Sequence, residues 1–123
     1  MSRVGVTSAL RAARARAAAL SAEVYVGQYD QNADLRSLLR AVLAARKAVA
    51  LTAPDAEGYP ERLSRLGDTL GMTFDATGHR DLLDEAIVTL RRAVLIADPG
   101  HPGAAKARAS LARAAAYLAL RST

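Results

Sequence analysis

Two histidines, twelve carboxylates and no cysteine are the groups with which this 123-residue chain could do chemistry. The histidines stand apart. His79 sits between Thr77-Gly78 and Arg80-Asp81, and His101 lies within Pro99-Gly100-His101-Pro102-Gly103. Asp81 and Asp84 are close to His79 in sequence, a spacing that a loop followed by a helix cap accounts for. His101, between Gly100 and Pro102, reads as turn chemistry. A metal centre needs three or four converging ligands, and none cluster here. Asp84 and Glu85 are adjacent, so on a helix they point in different directions and do not form an acid–base pair. With no thiol nucleophile and no glycine-rich phosphate loop, the chain reads as non-catalytic, with no metal and no cofactor.

The stretch from Thr77 to Pro99 shows what positions these groups. A Gly turn leads into a helix that Asp98-Pro99 ends, because proline disfavours helical geometry at the residue before it. Asp81 is placed to cap the start, with Asp84 and Glu85 near the positive end of the helix dipole. Leu83, Ala86, Ile87, Leu90, Ala93, Val94 and Ala97 recur at spacings of three and four, one apolar stripe at helical period.

The pattern also occurs 45 residues earlier, without a gap. Asp30 aligns with Asp75, Leu38 with Leu83, Ala41 with Ala86, Ala48 with Ala93 and Pro54 with Pro99. Gly58 aligns with Gly103 and Leu66 with Leu111, and Tyr29/Phe74 and Val42/Ile87 are conservative pairs. A fixed period in this range marks a repeat architecture.

Composition agrees. Ala, Leu and Arg are strong helix formers, β-branched residues are too sparse for a sheet protein, and the aromatics are four Tyr, one Phe and no Trp. A core of small side chains requires close helix approach. No apolar run approaches the roughly 18 residues of a membrane span. Arg11, Arg14 and Arg16 interrupt any secretory apolar region. The Arg/Ala-rich, acid-free start also has the character of an organellar transit peptide. That enrichment runs through the whole chain, however, so an ordinary first helix is expected. The absence of cysteine agrees with a reducing compartment, and the expected location is cytoplasmic.

Net charge is +5 and unevenly spread. Residues 1–22 carry Arg3, Arg11, Arg14 and Arg16 without an acid, and residues 99–123 carry Lys106, Arg108, Arg113 and Arg121 without one. Residues 23–98 hold nine basic and all twelve acidic groups. Basic ends around a mildly acidic centre point to an anionic partner, to head-to-tail contact between chains, or to a solvated face.

Five helices are expected in a single domain over residues 1–123, with residues 1–6 frayed. The first runs from a Thr7 or Ser8 cap to about Tyr29, its apolar side made by Leu10, Ala13, Ala17, Leu20, Val24 and Tyr25. Gln28 to Ala33 makes a turn. The second helix spans about Asp34 to Thr52, the third Pro60 to Asp75, the fourth Asp81 to Ala97 and the fifth Ala104 to Leu120. Gly67 and Gly71 lie inside the third, where each costs about 1 kcal/mol against Ala. The expected reason is a neighbouring helix that approaches closely. The fifth helix ends without a polar cap. That implies either a longer protein or burial against another copy, as a possible homodimer through the terminal helices.

These residues resemble the tetratricopeptide repeat family. The pattern is Leu63, Leu66, Gly67 and Leu70 in the first helix of a repeat, then Ala86, Leu90, Ala93 and Pro99. Ala41, Ala45, Ala48 and Pro54 match in the second helix. Ala18, Ser21, Ala22 and Tyr25 correspond in the first, and Arg108, Leu111, Ala112 and Ala115 in the last. The period exceeds the family's usual 34 residues, and the long loops look like those of repeats in actinobacterial multidomain proteins. There such repeats often accompany caspase-like proteases or nucleotide-binding regulators.

The resemblance covers about residues 15–120. It implies an all-α fold of antiparallel helix hairpins stacked as a short solenoid, two and a half repeats of 45 residues; a plain helical bundle is the alternative. It also implies a peptide or protein partner on the concave surface lined by first helices. The register carried over puts Arg16, Ala19, Glu23 and Val26 there from the first helix. The third adds Glu61, Ser64, Asp68 and Gly71, and the last adds Lys106, Ala109, Arg113 and Ala116. Arg16, Glu23, Glu61, Asp68, Lys106 and Arg113 are the expected contact residues. The Lys/Asn clamp of chaperone-binding members is not present as a set. Nucleic-acid binding by the basic terminal helices is the alternative function, although no aromatic residues interleave with the arginines for stacking.

Overall fold

The chain first reverses at Ala33-Asp34. In the computed structural model, which describes residues 3–121, five helices follow one another: α1 (Arg3–Asn32), α2 (Leu35–Ala50), α3 (Tyr59–Thr77), α4 (Arg80–Ile96) and α5 (Pro102–Arg121). The described residues contain no strand. α1 runs longer than expected at both ends, and residues 28–32 are helix rather than turn. The turn shrinks to two residues because Ala33 takes a left-handed φ of 51° and its N–H reaches the Tyr29 carbonyl at 2.7 Å. Asp34 then caps α2, its side chain accepting the Arg36 N–H at 3.0 Å.

Each helix packs on its neighbours in chain order, and α3 also touches α5. The fold is therefore all-α, built of successive helix hairpins. α3 is the central element. Its Leu66 and Leu70 join Ala22, Val42, Ala45 and Ala86 in one cluster. Phe74 meets Leu83, Ile87, Leu90 and Ala114 in a second. Tyr59 and Leu63 close on Ala93 and Ala107 in a third. Two ion pairs tie the first hairpin to the second: Glu23–Arg65 from α1 to α3 at 2.8 Å, and Arg46–Glu85 from α2 to α4, with bonds of 2.6 and 3.1 Å.

The 45-residue period reappears as burial. Leu38, Ala41, Val42, Ala45 and Ala48 of α2 are buried, and so are Leu83, Ala86, Ile87, Leu90 and Ala93 of α4. α5 departs from it. The positions equivalent to Leu63 and Leu70 are Arg108 and Ala115, and both are exposed, as is Ala112. The helix keeps Ala104 and Ala114 buried, as their equivalents Tyr59 and Thr69 are, and adds Ala107 and Ser110.

α1 corrects the sequence reading most. Most of its expected core side is outside: Leu10, Leu20 and Val24 are 53, 55 and 58% exposed, Ala13 and Ala17 are exposed too, and of that side Tyr25 alone is half-buried. The buried side is Ala15, Ala18 and Ala22, because only alanines let α1 lie close against the α2 hairpin face.

The start of α4 also differs. His79, not Asp81, is the N-cap residue, and it makes no side-chain cap bond. Thr77 Oγ1 accepts the His79 N–H at 3.3 Å, so the loop itself satisfies the approach to the helix. Asp81 falls in the first turn, where its charge suits the dipole. Gly78, at φ 74°, closes α3 with its N–H on the Phe74 carbonyl at 2.7 Å.

Candidate functional site

The glycines inside α3 have different reasons. A Cβ at Gly67 would run into Leu90 Cγ of α4, so this glycine is what allows the α3–α4 approach. A Cβ at Gly71 would meet nothing within 4 Å. Gly71 therefore does not seat a helix, contrary to expectation; it opens a cleft.

That cleft, about 320 Å³, lies between α3 and α5 over α4. α3 contributes Gly67, Asp68, Gly71, Met72, Phe74 and Asp75. α4 contributes Leu83, Ala86 and Leu90, and α5 contributes Ser110, Arg113, Ala114 and Tyr117. Tyr117 stands edge-on to Phe74, with ring centroids 6.1 Å apart at 79°, a favoured aromatic geometry. The buried Ser110 hydroxyl lies 3.3 Å from the Arg113 guanidinium, which donates to it. One wall thus carries carboxylates and the other a guanidinium, with an apolar and aromatic lining between. A pocket of this size with a few polar groups on an apolar lining suits one or two large side chains of a ligand.

Of the expected contact residues, the cleft brings together Asp68 and Arg113. Glu61 lines a separate hollow of about 310 Å³ with Asp55, Glu57, Asp98 and His101. Glu23 is engaged with Arg65. Arg16 and Lys106 are exposed on α1 and α5 and line neither hollow. Ser64, expected on the open surface, is buried, and its hydroxyl has no hydrogen-bond partner. By contrast Thr69, Thr73 and Thr77 each return their hydroxyls to the carbonyl four residues back at 2.8 Å. Met72, Asp75 and Tyr117 are not among the contact residues expected from sequence. The repeat register places the α5 residues differently, and Met72 follows Gly71 directly on the helix.

His101 and the adjacent carboxylates of α4 have local partners. His101 Nδ1 accepts the Gly103 N–H at 3.0 Å. Asp84 faces Arg80 at 3.4 Å and Glu85 faces Arg46, so the adjacent carboxylates turn to different partners. Among the described residues no group of three or more His, Cys, Asp or Glu is placed to hold a metal ion, and no helix is long and apolar enough to cross a membrane.

A shallow groove of about 700 Å³ runs between α1 and α2. Arg14, Arg40 and Lys47 stand along it beside Tyr25, Leu43 and Leu51, with no carboxylate in the lining. No protein-family model, no curated protein and no solved structure matches the chain.

Proposed function

We propose that this chain is a non-catalytic protein-interaction module that docks a peptide segment in the α3–α5 cleft. The observation that carries the reading is Gly71. A glycine in the middle of a helix costs about 1 kcal/mol, and here no helix packing explains it; it leaves the mouth of the cleft open. The two-walled charge pattern supports a ligand with an apolar anchor flanked by a basic residue, toward Asp68 and Asp75, and an acidic one, toward Arg113. The shared burial pattern of α2 and α4 at 45-residue spacing supports reading the fold as a long-loop relative of tetratricopeptide repeats. In those repeats partners lie against successive first helices, here α3 and α5. Such a module would act in the cytoplasm.

The test is selection of peptides from a random display library, followed by calorimetry. Selected peptides share an apolar anchor between opposite charges, and Gly71→Leu weakens them by roughly tenfold or more, since each tenfold is about 1.4 kcal/mol. Enrichment of no peptide, or equal binding to the Gly71→Leu protein, would overturn the proposal.

The cationic α1–α2 groove favours a second reading, in which Arg14, Arg40 and Lys47 hold nucleic-acid phosphates. Affinity for an oligonucleotide would then fall steeply with salt, whereas the cleft's apolar anchor makes peptide binding less sensitive.

A further inference from the structure

α1 has a second apolar face that its own fold does not use. Val6, Leu10, Ala13, Ala17, Leu20 and Val24 are exposed. Their spacing alternates four and three, and the next step falls on Gly27, where an added Cβ would meet nothing within 4 Å. This is the 3.5-residue repeat of a helix–helix seam. It lies across the helix from the buried Ala15 and Ala22.

We propose that α1 pairs antiparallel with α1 of a second copy of this chain along this seam. Size complementarity argues for that occupant and direction. With the two-fold axis between Ala18 and Ala19, Leu20 meets the second copy's Ala17, Val24 meets its Ala13, and Leu10 meets its Gly27. Leu20, Val24 and Leu10 thus each face a small residue, which fills the interface without overlap, while Val6 falls at the seam's end beside Gln31. A parallel pair would set leucine on leucine and alanine on alanine.

Charge argues the same way. Residues 3–16 of α1 carry only arginines, and residues 17–32 carry only Glu23 and Asp30. The first turn has no acid and the last turn no base, so the helix charges oppose its own macrodipole. An antiparallel copy lays each basic half beside an acidic half and brings Arg16, as a second cation, to the second copy's Glu23, which already pairs with Arg65 of its own chain at 2.8 Å. A parallel copy would lay arginines beside arginines.

The test is light scattering with the full chain. The expected mass is twice 12.9 kDa. Leu20→Glu raises the dimer dissociation constant roughly a hundredfold while leaving the helical circular dichroism intact, because Leu20 is exposed. Arg16→Glu weakens the dimer about tenfold.

The chain has no cysteine, so introduced thiols report direction cleanly. A short thiol crosslinker joins Leu10→Cys to Gly27→Cys in a mixture and does not join Leu10→Cys to itself. A monomer at concentrations up to about 100 µM would overturn the proposal and leave the seam to a partner of another kind. Self-crosslinking of Leu10→Cys, or a dimer that Leu20→Glu leaves unchanged, would also overturn it.

Discussion

Replacing each interior glycine of α3 with alanine should move stability in opposite directions. In an exposed helix either change gains about 1 kcal/mol of helix propensity. At Gly71 the new methyl enters open space, so the full gain appears, about 4 °C in Tm for a chain of this length. At Gly67 the methyl meets Leu90 Cγ, a branch point rather than a flexible tip. Leu90 is buried against Phe74, Leu83 and Ile87, with the α3–α5 cleft on its remaining side. Overpacking of that kind costs about 1–3 kcal/mol, which exceeds the propensity gain, so Gly67→Ala destabilises by up to about 2 kcal/mol.

Leu90→Ala alone costs about 2–5 kcal/mol through its cavity. On that background the obstruction is gone, and Gly67→Ala should turn stabilising. The resulting coupling energy of about 1–3 kcal/mol is read from a double-mutant cycle in urea. A Gly67→Ala protein as stable as Gly71→Ala, or independent of Leu90, would refute the assignment of the two glycines to different roles.

Other substitutions test single features. Ala33→Gly should stabilise by about 0.5–1 kcal/mol in thermal unfolding, because glycine adopts the left-handed φ of the α1–α2 turn without a Cβ penalty. Ser64→Ala should also stabilise, by about 1 kcal/mol in denaturant titration, since it removes a buried hydroxyl with no partner. Leu70→Ala should cost about 2–5 kcal/mol in the same assay, as a fully buried side chain in the α2–α3–α4 cluster. Glu85→Ala should cost less than about 1 kcal/mol, because the Arg46 pair, though bidentate, is substantially exposed.

The hairpin α3–α4 and the repeat relation between α2 and α4 were legible because burial there follows a single apolar stripe. α1 was not, for a physical reason: it carries two such stripes. Hydrophobicity alone favours the Leu/Val stripe for the core, but helix approach at this position admits only Ala15, Ala18 and Ala22. Eleven of the twenty residues of α5 are Ala, Gly or Ser, so the repeat register has little to hold it, and the buried set is Ala104, Ala107, Ser110 and Ala114. Part of the cleft is legible in the sequence, since the register puts Asp68, Gly71 and Arg113 on one surface. Met72 and Tyr117 depend on where α5 crosses α3, and that is set by packing rather than by pattern. The cap at His79 shows a further gap between pattern and fold. An Asp two residues later looked like the cap, but the Thr77 hydroxyl had already satisfied the backbone at the entry.

The most direct test of the cleft uses a built-in reporter. The chain has two methionines, Met1 and Met72, and Met72 lines the cleft. The protein can be labelled at its methionine methyls and titrated with a selected peptide while the resonances are followed by NMR. The account predicts a saturable shift of the Met72 methyl signal that vanishes in the Gly71→Leu protein. Peptide binding confirmed by calorimetry with the Met72 signal unmoved would contradict it, and would place the partner on another face.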